Sequence, residues 1–179
     1  MAVRLPWPRI RTVLLDMDGT LLDLRFDNQF WRELVPERYA RRHGLSLAGA
    51  RAEVATRTRA VEGTLAWYCL DYWTRELALD IVALKREIEH LIAVHPHALE
   101  FLDALRAAGK RVVLVTNAHP HSLALKMEKT RLAGHFDGIV CAHALGSVKE
   151  QPEFWPRLRE REPFDPAATL LVDDHLAIL

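Results

Sequence analysis

Apolar positions divide the chain into two kinds of territory. Four short runs are almost wholly apolar: Thr12–Leu15, Arg111–Val115, Gly138–Cys141 and Thr169–Val172. Runs of this length without alternation predict strands covered on both faces. From Asn28 to about Ala93 the apolar spacing is helical instead. Phe30, Trp31, Leu34 and Val35 recur at i, i+1, i+4, i+5, with Asp27 or Asn28 as the expected cap. Pro36 predicts a kink or restart, Gly44 a helix end and Ser46 a new cap. Thr64–Leu79 reads as one aromatic-rich helix, and Asp80 caps another through Ile81, Leu84, Ile88 and Leu91.

Beyond His95-Pro96-His97 the two patterns alternate. A helix through Ala98, Phe101, Leu102 and Leu105 stops at Gly109. A second starts at Pro120 or His121 and runs through Leu123, Leu125 and Met127 towards Gly134, and a third covers Pro152–Arg161. Strands alternating with helices imply βαβ units, a parallel sheet and right-handed crossovers. The expected fold is α/β: a Rossmann-like parallel sheet from residues 1–24 and 95–179, with an all-helical insert over 25–94.

Composition and charge narrow the function classes. Half of the 179 residues are hydrophobic and the formal net charge is zero, so neither disorder nor broad attraction to nucleic acid is indicated. Arg38, Arg41, Arg42, Arg51, Arg57 and Arg59 make a local excess, read as a solvated helix surface rather than a basic wall facing an anionic substrate. Cys69 and Cys141 lie far apart, which fits a reducing compartment. No apolar run approaches a membrane span and the first eight residues hold no apolar signal core, so a soluble cytoplasmic protein is expected.

Candidate chemistry sits where the strands stop. The first strand breaks into Asp16-Met17-Asp18-Gly19-Thr20, the second into Thr116-Asn117 and the fourth into Asp173-Asp174, and Lys149 lies in the loop after the third. In a parallel sheet all carboxyl ends share one edge, so these groups can converge. Aspartates suit a hard divalent cation such as magnesium, and a hydroxyl, an amide and a lysine suit phosphoryl oxygens. One aspartate can attack phosphorus while another two residues on handles protons. Each part alone has a plainer account. Asp-Gly makes a turn, Thr116-Asn117 and Asp173-Asp174 can cap helices, and Lys149 can be solvated. The histidines His95, His97, His119 and His121 match no zinc spacing and read as loop residues. Trp67, Tyr68, Tyr72 and Trp73 read as core of the insert rather than a stacking platform. The joint occurrence, in an order one reaction needs, favours catalysis.

These four ordered motifs resemble those of the haloacid dehalogenase superfamily, and the inserted helices resemble its helical cap. Leu14 to Leu24, Phe26-Asp27-Asn28, Phe30-Trp31, Trp67 to Trp73 and Thr116 to His121 further resemble bacterial purine 5′-nucleotidases that hydrolyse GMP and IMP. The resemblance implies a magnesium-dependent phosphatase working through an aspartyl-phosphate. Asp16 would be nucleophile and metal ligand, and Asp18 the acid/base with its main-chain carbonyl on the metal. Thr116, Asn117 and Lys149 would bind phosphate, and Asp174 would hold the metal, with Asp173 beside it directly or one shell out. A sugar-phosphate phosphatase or phosphomutase on the same core is the alternative. A phosphoacceptor signalling domain fits less well, because Asp16 lies on the first strand, and an inactive binding relative is the third possibility. Two departures stand out. Glu150 and Gln151 separate Lys149 from Pro152, and the chain ends at Leu179, where similar proteins continue. The expectation is therefore a C-terminally truncated core whose fourth strand is an edge.

Overall fold

A computed structural model describes residues 5–179; the first four residues of the expected core segment lie outside the described residues. Strand β1 (Thr12–Leu15) comes first. A helical block follows, with α1 (Arg25–Gln29), a π-helical turn (Phe30–Leu34), α2 (Val35–His43), α3 (Leu47–Ala60), α4 (Leu65–Tyr68), α5 (Leu70–Leu77) and α6 (Ile81–Glu87). The chain then alternates: α7 (Ala98–Ala107), β2 (Arg111–Thr116), α8 (Pro120–Thr130), β3 (Gly138–Cys141), α9 (Phe154–Arg161) and β4 (Thr169–Val172).

The four strands form one parallel sheet in the order β3-β2-β1-β4. The strand period of two sends neighbouring residues to opposite faces. Val13, Leu15, Val112 and Leu114 pack with Ala98, Leu102 and Leu105 of α7 on one face. Leu14, Val113, Val115 and Val140 pack with Phe154 and Leu158 of α9 on the other. Both faces are thus covered, which is why β1 and β2 read as unbroken apolar runs. Each fully buried leucine contributes about 1.5–3 kcal/mol relative to exposure. Strand β4, at one edge, is half-buried throughout.

The helical block buries a separate cluster that includes Phe30, Val35, Tyr39, Val54, Trp73 and Ile81. Local chemistry sets its elements. Ser46 and Asp80 cap α3 and α6 by accepting from Gly49 N and Ala83 N, and Gly44 closes α2 in the left-handed region at φ 64°. Pro36 does not break the helix. The missing N–H of proline is absorbed by the wider π turn just before it. Thr64–Leu79 is two helices, not one. Cys69 is extended between them, and Trp73 Nε1 donates to the Trp67 carbonyl at 2.7 Å, across that interruption. The expected end at Gly134 also moves: α8 stops at Arg131, and Gly134 lies in a 3₁₀ turn. The arginine-rich surface is balanced, with Arg38 paired to Glu87, Arg51 to Glu33, and Arg57 to Glu53 and Glu76.

Candidate active site

The register of the sheet levels the polar groups. Leu15 pairs with Val172 and with Leu114, so Asp16 and Asp173 emerge side by side and Thr116 stands close on the next strand. Asp16, Asp18, Thr116, Asn117, Lys149, Asp173 and Asp174 all line one cleft of about 940 Å³ between the sheet edge and the helical block.

Lys149 is the hub. Its Nζ donates to Asp16 Oδ1 at 2.5 Å and to Asp173 Oδ2 at 2.6 Å. Burial works against the ammonium, but the two carboxylates outweigh it and hold its pKa above the ordinary lysine value. Burial also pushes the Asp16 carboxyl up to about 7, against the pull of Lys149. Asn117 fixes the lysine's loop, its Oδ1 accepting from Lys149 N at 3.0 Å. Its Nδ2 donates to Glu150 Oε2 at 2.8 Å, and Glu150 Oε1 accepts from Tyr68 O–H at 2.6 Å. One carboxylate therefore ties the helical block to the phosphate-binding candidates. Thr116 Oγ1 accepts from Ala118 N at 3.0 Å, while His119, not Thr116 or Asn117, caps α8.

Oxygens of Asp16, Asp173 and Asp174 lie within 4.8 Å of one another. Three carboxyl groups, two of them bonded to Lys149, make an oxygen-rich donor set of the kind magnesium takes. Gly19, at φ 90°, clears the space: a Cβ there would come within 2.1 Å of Asp174 Oδ2. The residues present therefore fit the metal. One oxygen of the Asp18 carboxylate is held by Lys126, and the expected ligand from this residue is its main-chain carbonyl.

Asp18 belongs instead to a buried ionic chain that sequence reasoning missed. Lys126 of α8 donates to Asp18 Oδ1 at 2.6 Å and to Asp27 Oδ2 at 2.5 Å, and Lys85 of α6 donates to Asp27 Oδ1 at 3.0 Å. Asp27, expected to cap a helix, lies in the first turn of α1, and no side chain caps that helix. Burial would raise its pKa, yet Lys126 and Lys85 together bring it to about 2. Burial and the neighbouring Asp27 charge push Asp18 up, in spite of Lys126. A signal for Lys126 existed: it shares the i, i+3, i+4 face of Ser122 and Leu125, the buried side of α8. The aromatic group divides as well. Trp73 is buried in the core of the block and borders the cleft, and Trp67 and Tyr68, with Trp31, line the cleft as half-buried residues.

Comparisons with known proteins agree with this geometry. A family model described as haloacid dehalogenase-like hydrolase matches residues 10–177. The GMP/IMP nucleotidase YrfG of Escherichia coli (strain K12) is 43% identical over 179 residues, covering 100% of this chain and 81% of its own. A phosphoglycolate phosphatase of Nitrosospira multiformis is 31% identical over 176 residues, covering 93% of this chain and 76% of its own. The crystal structure of a HAD phosphatase from Thermococcus onnurineus superposes with a TM-score of 0.82 at 24% identity, over 94% of this chain and 79% of that one. With the match running from before β1 to beyond β4, this chain belongs to the haloacid dehalogenase-like hydrolases.

Proposed function

We propose that this hydrolase is a phosphomonoesterase that cleaves purine nucleoside 5′-monophosphates, GMP and IMP, and that residues 25–94 act as its substrate-selecting cap. The likeness to the E. coli nucleotidase, spread over the whole chain, carries the reading. Trp31, Trp67 and Tyr68 on the cap side of the cleft support it, since flat apolar rings suit a flat base. Two free cysteines agree with a reducing, cytoplasmic setting.

In this reading Asp16 attacks phosphorus in line with the ribose oxygen. Lys149 holds the carboxylate in place and balances charge on the phosphoryl oxygens, which Thr116 and Asn117 also bind. The P–O bond to ribose breaks, and Asp18 gives its proton to the departing oxygen. Water then attacks the phosphorus of the aspartyl-phosphate. Asp18 takes the proton from that water, and phosphate leaves with the Asp16 carboxylate restored. Asp16, Asp173, Asp174 and the Asp18 carbonyl would hold magnesium, which supplies positive charge to the phosphoryl group. Lys126 and Asp27 aim the Asp18 side chain.

The relative named phosphoglycolate phosphatase supports a second reading, a small non-nucleotide phosphate as substrate. Phosphate release measured over nucleoside monophosphates, sugar phosphates and phosphoglycolate, with magnesium and then with EDTA, separates the two. GMP and IMP should lead and EDTA should abolish release. Equal rates across substrate classes defeat the purine assignment.

A further inference from the structure

The cap and the core meet at a second set of ligating side chains, which the phosphatase chemistry does not use. Cys69 stands at the break between α4 and α5, His119 caps α8, and His143 lies in the turn after β3. Each offers one ligand atom, and the three atoms lie within 4.8 Å of one another. The rings of His119 and His143 meet edge to face with centroids 4.9 Å apart. Asp71 lies alongside, its carboxylate 3.7 Å from His119 Nε2.

Three observations make this more than a stack of rings. His143 Nε2 is buried and has no hydrogen-bond partner, a rare and costly condition for a polar atom. His119 is committed to no strong bond: Nδ1 is 3.3 Å from the His121 amide, and Nε2 has only the long approach to Asp71. The donors are one sulfur and two imidazoles, unlike the all-oxygen set around Asp16. A borderline-soft cation such as zinc prefers the former and magnesium the latter.

We propose that Cys69, His119 and His143 form a zinc-type site that staples the cap to the core, with Asp71 or water as the remaining ligand. A tetrahedral ion would bring its ligand atoms to roughly 3.3–3.6 Å from one another, given zinc bonds of about 2.0–2.3 Å. Occupancy therefore ties the cap-borne Cys69 to two core histidines through one ion. His119 also lines the substrate cleft, so a bound ion would fix the cap in one position next to it.

Cobalt(II) is the probe that reports its own ligands. The reduced, EDTA-stripped full chain is titrated with cobalt alone, and absorbance in the near ultraviolet is followed. One equivalent should give a thiolate-to-cobalt charge-transfer band, which the carboxylate site cannot produce. Zinc should remove the band and excess magnesium should not. C69S should lose it. The serine hydroxyl can still accept the Tyr72 N–H that Cys69 Sγ now accepts, so the start of α5 is kept. H143Q should weaken cobalt binding about tenfold or more. C141S, with its sulfur 3.8 Å from His143 Nδ1, should keep the band. Absence of the band in the parent chain, its survival in C69S, its loss in C141S, or unchanged affinity in H143Q each overturns the proposal.

Discussion

Lys126 Nζ lies 2.6 Å from Asp18 Oδ1, although 108 residues separate the two in sequence. The contact brings a buried cation from α8 to the residue that the proposed mechanism makes the proton handler. Removing it leaves Asp18 and Asp27 facing each other without their shared counter-ion. The neutral form of Asp18 gains, so its pKa must rise. In K126M the alkaline limb of the kcat/KM profile, which reports the acid in the free enzyme, should move to higher pH by about one unit or more. A limb that stays in place removes Lys126 from any control over Asp18.

Asp16 is buried against Lys149, and no other described carboxylate stands at the end of β1 itself. D16N keeps the shape and much of the hydrogen bonding but cannot attack phosphorus. Turnover should fall by about 10³-fold or more with the melting temperature within a few degrees of the parent. Near-normal release by D16N sinks the nucleophile assignment.

Gly19 is the position where the backbone yields to the metal candidates. G19A would set a Cβ on Asp174 and force an alanine to φ 90°, at a cost of about 1–2 kcal/mol in backbone strain alone. The magnesium concentration for half-maximal rate should rise about tenfold or more. An unaltered magnesium curve would take Asp174 out of the metal shell.

Tyr68 crosses from the cap to Glu150, and Glu150 crosses to Asn117. Losing the phenol frees the cap without touching the reacting atoms. Y68F should raise KM about 3- to 10-fold, the worth of a hydrogen bond of about 1 kcal/mol, and leave kcat within a factor of about two. A fall in kcat with KM unchanged would place Tyr68 at the chemistry instead.

Asp27 has a folded pKa near 2, below its ordinary value of 3.8, because two lysines outweigh its burial. Its contribution to stability is therefore present above about pH 4 and is lost as pH falls towards 2. D27N should cost about 1–3 kcal/mol at pH 7, discounted for its partial exposure, and less near pH 3. Urea unfolding of both chains at pH 7, 5 and 3 measures the gap; one that widens in acid refutes the linkage.

Sheet and site were far more legible in the sequence than the ion pairs around them. The strands announced themselves because a doubly covered parallel strand leaves no polar position, as Val112–Val115 shows. Asp16, Thr116, Asn117, Lys149, Asp173 and Asp174 followed, since a strand end fixes where the next residues go. Caps at Ser46 and Asp80 were readable because they are local. Cys69 was not, because the break depends on Trp73 reaching back to the Trp67 carbonyl. Lys126 and Asp27 were not, because their partner is set by how α8 meets α1 and α6. The proximity of His119 and His143 was not readable for the same reason. Each histidine is ordinary in its own loop and gains meaning only across the sheet edge, with Cys69 of the cap above.

The order β3-β2-β1-β4 also has a consequence for how the molecule comes into being. β1 is the earliest described strand to leave the ribosome, yet it lies between β2 and β4, the latter ending at Val172. Lys149 meets Asp16 across 133 residues. Contacts of such long range form late and slowly. The strand buried at every position must therefore wait, unpaired on one side, until nearly all the described chain has been made. Regained turnover on refolding should count only molecules in which β4 has docked, because that strand brings Asp173 to Lys149 and closes the centre.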